Sequence, residues 1–217
     1  NRELAERIAK TFVDGIIAKD FDEDARSVLA NKKDLRLLAL PDIYEHDHGE
    51  HGWEIKSVRG GILLAERYVS QTVTRDDILV RSEHQPSPEM LDAALLQWCV
   101  LGYVRSNAAV FGDDKVTYGV GSGQGSRVDA IRNALEHAAE RSPYYTSWAA
   151  NQDKELVLAT DGFPPETDSI EACAKYSVKG FLSPIGSIKD KAVYERGVEL
   201  GLVMLTTKSN ERPFTHR

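Results

Sequence analysis

The sequence predicts an α/β protein in which a mixed β-sheet is covered by helices on both faces. Short apolar segments alternate with amphipathic segments along most of the 217 residues, in the order α-β-β-α-β-α-β-α-β over the second half. This alternation is typical of a sheet packed between helices. Two β-rich segments are separated only by the polar residues 112–115, which predicts a hairpin and therefore an antiparallel pair within the sheet.

Residues 1–48 are predicted to contain a parallel βαβ unit. An amphipathic helix over 2–11 should present Leu4, Ile8 and Phe12 on one face. The following elements are a strand, a helix with acidic residues in its first turn and a second strand, at 13–18, 22–31 and 35–40. Because short joints connect them, the two strands should be parallel.

Residues 49–83 are predicted to connect this unit to a second domain at 84–217. The pattern from 41 to 60 is polar and typical of a connector, and it is followed by a predicted strand at 61–65. Residues 67–83 are predicted to be extended, with a turn at Thr74 and the pair Asp76 and Asp77. The polar cluster His46, Asp47, His48, Glu50 and His51 in this connector fits no common zinc motif, so we predict no metal site there.

The second domain is predicted to begin with a helix. Ser87 and Pro88 are typical of an N-cap and a first helical residue, and the helix should run to about 102. Its buried stripe is expected to contain Leu91, Leu95, Trp98 and Cys99. The remaining helices are predicted at 128–141, 167–176 and 189–200, and the strands at 110–111, 116–118, 156–160, 180–183 and 202–206.

A glycine-rich loop links the hairpin to the next helix and is a candidate anion site. It contains Gly119, Gly121, Gly123 and Gly125, and unpaired N–H groups at a helix start favour an anion. Arg127 in the first turn could bind a phosphate or carboxylate. The loop matches neither the P-loop nor the dinucleotide fingerprint, so the glycines could equally serve only to turn the strand sharply into the helix.

Ligands in such sheets bind beyond the carboxyl ends of the strands, where three loops should converge. These are residues 119–127, 161–168 and 208–216. Asp161 follows a buried strand and could contribute to a site, or it could cap the next helix or bind loop amides. The tail could be a disordered end, although Arg212 and Phe214 beside a proline favour an ordered segment.

Composition limits the class of partner. The net charge is −7 and no run of Lys or Arg is present, which argues against nucleic acid or an anionic membrane as the main partner. Cys99 and Cys173 lie in apolar helical patterns and are expected to be free thiols in a reducing cytoplasm. No apolar run approaches membrane-spanning length and no signal peptide is visible, so we expect a cytoplasmic protein.

Five ordered motifs resemble the C-terminal half of the AICAR transformylase domain in the AICAR formyltransferase/IMP cyclohydrolase family. That domain carries Ser-Asn, Gly-x-Gly-x-Gly-Gln-x-Ser-Arg, Ser-Asp-Ala-Phe-Phe-Pro, Gly-Gly-Ser-x-x-Asp and Arg-x-Phe-x-His. The similar segments here are 106–107, 119–127, 159–165, 186–190 and 212–216. Residues 1–3, 13–18 and 32–36 also look like family segments. Five motifs in the same order are far more specific than any one of them.

The resemblance implies two cytidine-deaminase-like lobes, with this chain holding the end of the first and all of the second. It implies formyl transfer from 10-formyltetrahydrofolate to AICAR, in sites shared between the subunits of a homodimer. Zinc deaminase chemistry is excluded, because the chain lacks the His/Cys-x-Glu and Pro-Cys-x-x-Cys segments that bind the zinc.

By position, the resemblance also implies roles for six residues. Asn107 and Arg127 would hold the nucleotide, with Arg127 on its phosphate or carboxamide side. Asp161 and Phe163 would line the base and the transfer centre, and Arg212 would close over the ligand. His216 would lie near a monovalent cation, such as potassium, together with Asp161. On this basis we expect Asn107, Asp161 and His216 to take part in catalysis.

Three departures from the family leave three hypotheses open. The family's Lys-His-x-Asn-Pro-x-Gly segment does not occur here and is expected upstream of Asn1, on an upstream half or a separate chain, as is the IMP cyclohydrolase domain. Gly162 and Pro164 replace Ala and Phe, and Glu166-Thr167 replace Phe-Arg. The chain could therefore be part of a working transformylase, a non-catalytic nucleotide-binding module, or a dimerisation lobe.

Overall fold

The computed structural model describes residues 1–41, 53–66, 73–141, 154–164, 166–186 and 188–208. The chain divides into two units, Asn1–Arg67 and Tyr68–Arg217. Each unit has its own buried residues. Among the residues that the structure describes, no helix has the length and apolar character that crossing a bilayer requires.

The first unit contains the predicted parallel βαβ arrangement. Its elements are α1 (Arg2–Ala9), β1 (Gly15–Ala18), α2 (Glu23–Leu29) and β2 (Arg36–Ala39). Strands β1 and β2 pair in parallel from Gly15 opposite Arg36 to Ala18 opposite Ala39. The buried residues of this unit are few and mostly small: Ala5, Phe21, Ala25 and Leu29.

The predicted buried face of α1 is wrong at two of its three positions. Leu4 is 53% exposed and Phe12 is 90% exposed, whereas Ala5 is buried. The helix ends at Ala9, so Phe12 lies outside it and no longer follows the helical period. Ile8 is partly buried against the small core, as predicted.

A β-hairpin occupies part of the region that the sequence pattern assigns to a connector. Strand β3 (Trp53–Val58) pairs antiparallel with β4 (Gly61–Glu66), and Gly60 in the turn has a φ of +90°. The strand at β4 is confirmed, whereas the connector prediction is wrong over β3. The strand is short, and its apolar residues Trp53 and Ile55 are exposed and lie in a polar stretch, so no buried face marked it in the sequence.

The second unit is built around a six-stranded mixed sheet with the order β5-β10-β9-β8-β6-β7. A 3₁₀ turn at Arg75–Asp77 precedes β5 (Ile78–Val80). The other strands are β6 (Ala109–Gly112), β7 (Thr117–Gly121), β8 (Val157–Thr160), β9 (Gly180–Ser183) and β10 (Val203–Thr207). Strands β8, β9 and β10 are parallel, while β5, β6 and β7 give the antiparallel pairs. The predicted mixed α/β sheet is therefore confirmed.

Helices cover both faces of this sheet. On one face lies α3 (Pro88–Leu101), which packs against alternate residues of the strands such as Val110 and Leu182. On the other face lie α4 (Arg127–Arg141), α5 (Asp168–Cys173) and α6 (Asp190–Glu199), against residues such as Phe111 and Phe181. The sheet with helices packed on each of its faces forms the predicted three-layer α/β/α arrangement.

Helix α3 begins as the sequence indicates, and Leu91, Leu95 and Trp98 of its predicted stripe pack against the core. Ser87 caps it by accepting a hydrogen bond from the amide of Met90 at 3.1 Å. Trp98 is buried as predicted, but Cys99 is exposed, so the prediction for Cys99 is wrong. The small residues Ala93 and Ala94 are fully buried instead, because they allow the helix to approach the sheet closely.

A buried carboxylate stabilises the turn of the β6–β7 hairpin. Asp113 accepts hydrogen bonds from the amides of Lys115 and Val116, from the hydroxyl of Tyr118 at 2.8 Å, and from Lys154 at 3.3 Å. Burial acts to raise the pKa of this carboxyl, but the hydrogen bonds outweigh it, so its pKa lies below the ordinary value. Burial and the contact with Asp113 raise the pKa of Tyr118.

Candidate functional site

Three loop segments meet at one edge of the sheet. Strand β6 is antiparallel to both β7 and β8, with Ala109 opposite Gly121 on one side and Thr160 on the other. The residues before β6 therefore lie beside those that follow β7 and β8. Two of the three loops predicted to converge, 119–127 and 161–168, do so here. The third, 208–216, lies almost wholly outside the described residues.

Asp161 is at the centre of this edge. Its side chain is 1% exposed. Oδ2 accepts a hydrogen bond from the hydroxyl of Ser106 at 2.7 Å, and Oδ1 accepts from the amide of Ala108 at 2.9 Å and from Nη2 of Arg127 at 3.1 Å. The carboxylate, which lies in the segment after β8, thus accepts hydrogen bonds from donors of the other two segments and joins all three to one another.

Arg127 is the first residue of α4 and extends across to the loop after β8. Besides its ion pair with Asp161, its Nη1 donates to the carbonyl of Phe163 at 3.2 Å. The side chain is 16% exposed, and its Nε is buried without a hydrogen-bond partner. A guanidinium has five N–H donors, so several remain for a ligand after these two contacts.

Asn107 joins the segment before β6 to the glycine-rich loop. Its Nδ2 donates to the carbonyl of Gln124 at 3.0 Å, and the amide of Gln124 donates back to the carbonyl of Asn107. The amide of Gly123 donates to the carbonyl of Arg105 at 2.8 Å, and Gly123 has a φ of +64°, which favours glycine. The loop conformation is therefore fixed by its neighbours.

The glycines before this loop have a packing role. A Cβ at Gly119 would lie 1.8 Å from the carbonyl oxygen of Ala134, and one at Gly121 would lie 1.9 Å from that of Ala130. Helix α4 thus lies directly on β7, and only glycine fits at either position. The sequence suggests an anion site or a sharp turn for the glycine pattern, whereas the structure shows that close packing against α4 accounts for Gly119 and Gly121.

The start of α4 already carries a carboxylate. The hydroxyl of Ser126 donates to Oδ2 of Asp129 at 2.7 Å and accepts from its amide at 3.2 Å, as in an N-terminal cap. An acidic side chain in the first turn interacts favourably with the positive end of the helix dipole. A phosphate bound at this helix end would therefore lie close to the carboxylate of Asp129.

The predicted site residues are therefore brought together as far as the structure describes them. Asn107, Arg127, Asp161 and Phe163 lie in this one cluster. Arg212 and His216 fall outside the described residues, and so do His46 to His51. Within the described part of the chain, no group of three or more His, Cys, Asp or Glu side chains is arranged to hold a metal.

Two residues that are absent from the predicted set take part in the cluster, Ser106 and Gly162. Ser106 belongs to the Ser-Asn motif, but its bond to Asp161 depends on strand pairing. Gly162 is buried beside the guanidinium, and the hydroxyl of Thr160 donates to its carbonyl at 2.9 Å. The only signal for Gly162 in the sequence is that it replaces the alanine of the resembled motif.

Comparison with known proteins places the chain in a family. A family model described as AICARFT/IMPCHase bienzyme matches residues 1–137, which is more than half of the chain. The bifunctional purine biosynthesis protein PurH of Caldicellulosiruptor bescii is 37% identical over 216 residues, covering 100% of this chain and 39% of the relative. The PurH protein of Listeria monocytogenes serotype 4b is 36% identical over 216 residues, covering 99% of this chain and 38% of the relative.

The matched region is only part of those relatives. The PurH protein of Caldicellulosiruptor saccharolyticus is 36% identical over 207 residues, covering 95% of this chain and 37% of the relative. The chain thus spans about two fifths of the length of the curated relatives it matches. Since the family model covers most of it and the similarity to these relatives extends over nearly all of it, the chain belongs to the AICARFT/IMPCHase bienzyme family.

Proposed function

We propose that the chain forms the substrate-binding part of an AICAR formyltransferase, corresponding to the C-terminal half of the transformylase domain. The enzyme would transfer a formyl group from 10-formyltetrahydrofolate to AICAR in purine biosynthesis. The observation that carries the proposal is the meeting of Asn107, Arg127, Asp161 and Phe163 at one sheet edge. Family membership and the names of the relatives support it.

The chemistry of the reaction explains why such a cluster is needed. The 5-amino group of AICAR is a poor nucleophile because it is conjugated to the imidazole carboxamide. An enzyme must orient it, remove a proton and stabilise the developing oxyanion. Asn107 and Arg127 would orient the nucleotide through hydrogen bonds, and the half-buried ring of Phe163 would pack against the base.

The proposal gives the remaining roles to groups beyond this cluster. Arg212 would close over the ligand, and His216 would act near the transfer centre, where a monovalent cation such as potassium is also proposed. The catalytic Lys-His pair would come from outside this chain, since the sequence lacks that segment. The working site would then form in a homodimer, from two cytidine-deaminase-like lobes in each subunit.

A second candidate function follows from the same missing segment. Because the sequence has no Lys-His-x-Asn-Pro-x-Gly segment, the chain could bind a purine nucleotide without catalysis. The dimerisation lobe of the third hypothesis would use the same loops for packing alone.

Calorimetric titration with AICAR separates these functions. We expect the chain to bind AICAR and Arg127→Ala to weaken the affinity by about 1.5–3 kcal/mol, the usual value of a charge-assisted hydrogen bond. Arg132→Ala is the matched control, because Arg132 lies on the same helix with a half-exposed side chain. Absence of AICAR binding would leave only the dimerisation lobe, and formyl transfer by the chain would exclude the non-catalytic module.

A further inference from the structure

We propose that Glu166 and Lys189 are positioning residues, whose ion pair braces the loop after β8 against the loop after β9 and so holds Phe163 in place for the ligand. The identity of that ligand rests on the proposed function, whereas the brace itself rests on the geometry alone. Neither Glu166 nor Lys189 is a predicted site residue, and Glu166 stands where the resembled motif carries Phe.

The two loops leave the sheet side by side. Strands β8 and β9 are parallel neighbours, so the segments that follow them emerge at the same edge. The first segment enters α5 at Asp168, and the second enters α6 at Asp190. Among the described residues, the pairing of these strands goes no further than Ala159 opposite Leu182. A connection between the loops beyond that point therefore depends on side chains.

Glu166 and Lys189 make such a connection. Nζ of Lys189 donates to Oε1 of Glu166, and each residue lies within two positions of the helix that its loop enters. The loop that carries Lys189 is fixed to its own helix, because the amide of Gly186 donates to Oδ2 of Asp190 at 2.9 Å. Both side chains of the pair are more than half exposed, and exposed ion pairs add little to the stability of a fold. The effect expected of this pair is therefore local, on the loops that it joins.

The loop after β8 is thereby held from two directions. On the side of α4, Nη1 of Arg127 donates to the carbonyl of Phe163 at 3.2 Å. On the side of β9, Lys189 holds Glu166, three residues further along the same loop. Phe163 thus lies between strand β8 and a second point of attachment. Loss of the ion pair should increase the motion of the segment that carries its ring.

Reversing the charges of the pair separates bracing from long-range electrostatics. Glu166→Lys and Lys189→Glu each place like charges face to face, and the double variant restores an opposite pair with an unchanged net charge. We expect each single variant to weaken the binding of AICAR about two- to fivefold, and the double variant to bind as the unmodified chain does. The result for Glu166→Lys decides the point, because its added positive charge would by itself strengthen the binding of an anionic ligand.

Lys191→Glu is the matched control, since Lys191 lies on α6 with an 88% exposed side chain and the same charge is reversed. It should change the affinity for AICAR by less than about twofold. Tighter binding of AICAR by Glu166→Lys, or a double variant that binds no better than the single variants, would overturn the inference.

The brace is tested without any ligand by ¹⁵N relaxation. The order parameters of the Phe163 and Glu166 amides should fall in both single variants, recover in the double variant and stay unchanged in Lys191→Glu. Unchanged order parameters in the single variants would show that the pair does not hold the loop. If the unmodified chain does not bind AICAR, the proposed function and the role in binding both fail, while these order parameters still decide the bracing.

Discussion

At the scale of single residues, the two ends of the sheet each contain a buried aspartate with a different set of donors. Asp161 binds Arg127 at the edge where the loops converge. Asp113 binds Tyr118, Lys154 and two backbone amides at the hairpin turn near the opposite edge. A buried carboxylate is stable only when such donors compensate for its lost hydration.

Asp113 should make stability depend on pH in the acid range. Its pKa is lower in the folded chain, so the folded state binds fewer protons than the unfolded state. This contribution is fully present above the unfolded value of about 3.9 and is lost as the pH falls through the folded pKa. Asp113→Asn should remove that part of the pH dependence and cost about 2 kcal/mol at pH 7.

Urea unfolding between pH 7 and pH 3 measures this effect. Asp114→Asn is the control, since the carboxylate of Asp114 faces the exposed amine of Lys115 at 3.7 Å. An equal acid loss of stability in Asp113→Asn and the unmodified chain would show that Asp113 does not contribute it.

The residue types of the candidate site can be predicted from the sequence, but not their contacts. Arg127 is predicted as a site residue because it follows the glycine-rich loop, and Asp161 because it follows a buried strand. Their ion pair joins residues 34 positions apart, and it depends on the antiparallel placement of β6 beside β8. The bond between Ser106 and Asp161 depends on the same pairing, so neither contact follows from local patterns.

At the scale of elements, α4 packs directly on β7, where a Cβ at Gly119 or Gly121 would lie 1.8 or 1.9 Å from a carbonyl oxygen of the helix. Because Arg127 is the first residue of α4, this packing holds it beside Asp161 and Phe163 in the loop after β8. The helix itself is predictable from its periodicity, and its start differs from the prediction by one residue. The requirement for glycine in β7 cannot be predicted in this way, because it arises from contacts with backbone atoms of α4.

We expect Gly119→Ala and Gly121→Ala to destabilise the chain by about 3 kcal/mol or more, because the added methyl group meets the backbone of α4. Gly125→Ala should change stability by about 0.5 kcal/mol or less, since an added Cβ there meets no atom within 4 Å. Denaturant unfolding monitored by circular dichroism measures all three. Equal stability of the three variants would contradict the close packing of α4 on β7.

At the scale of the whole molecule, the second unit includes a strand from the segment that the sequence assigns to the connector. Strand β5 is the outermost strand on one side of the six-stranded sheet and pairs with β10, from Ile78 opposite Thr207 to Val80 opposite Leu205. The sequence predicts the extended conformation of this segment. It does not predict the pairing, because more than 120 residues separate the two strands and local patterns do not determine such contacts.

A chain spanning residues 68–217 should therefore fold and unfold cooperatively, as measured by calorimetry. A chain spanning 84–217 should be less stable or aggregate, since it lacks β5 and leaves the edge of β10 unpaired. Similar melting temperatures for the two chains would show that β5 contributes little and that the unit effectively begins at residue 84.

The proposed function requires that the loops at one sheet edge bind a single purine ribotide. Titrating the ¹⁵N-labelled chain with AICAR and following its backbone amide signals tests this claim most directly. We predict that the shifted signals cluster at 105–108, 122–127 and 161–164, while those of the hairpin turn at 113–116 remain unchanged. Signals that do not shift, or shifts confined to other surfaces, would contradict it.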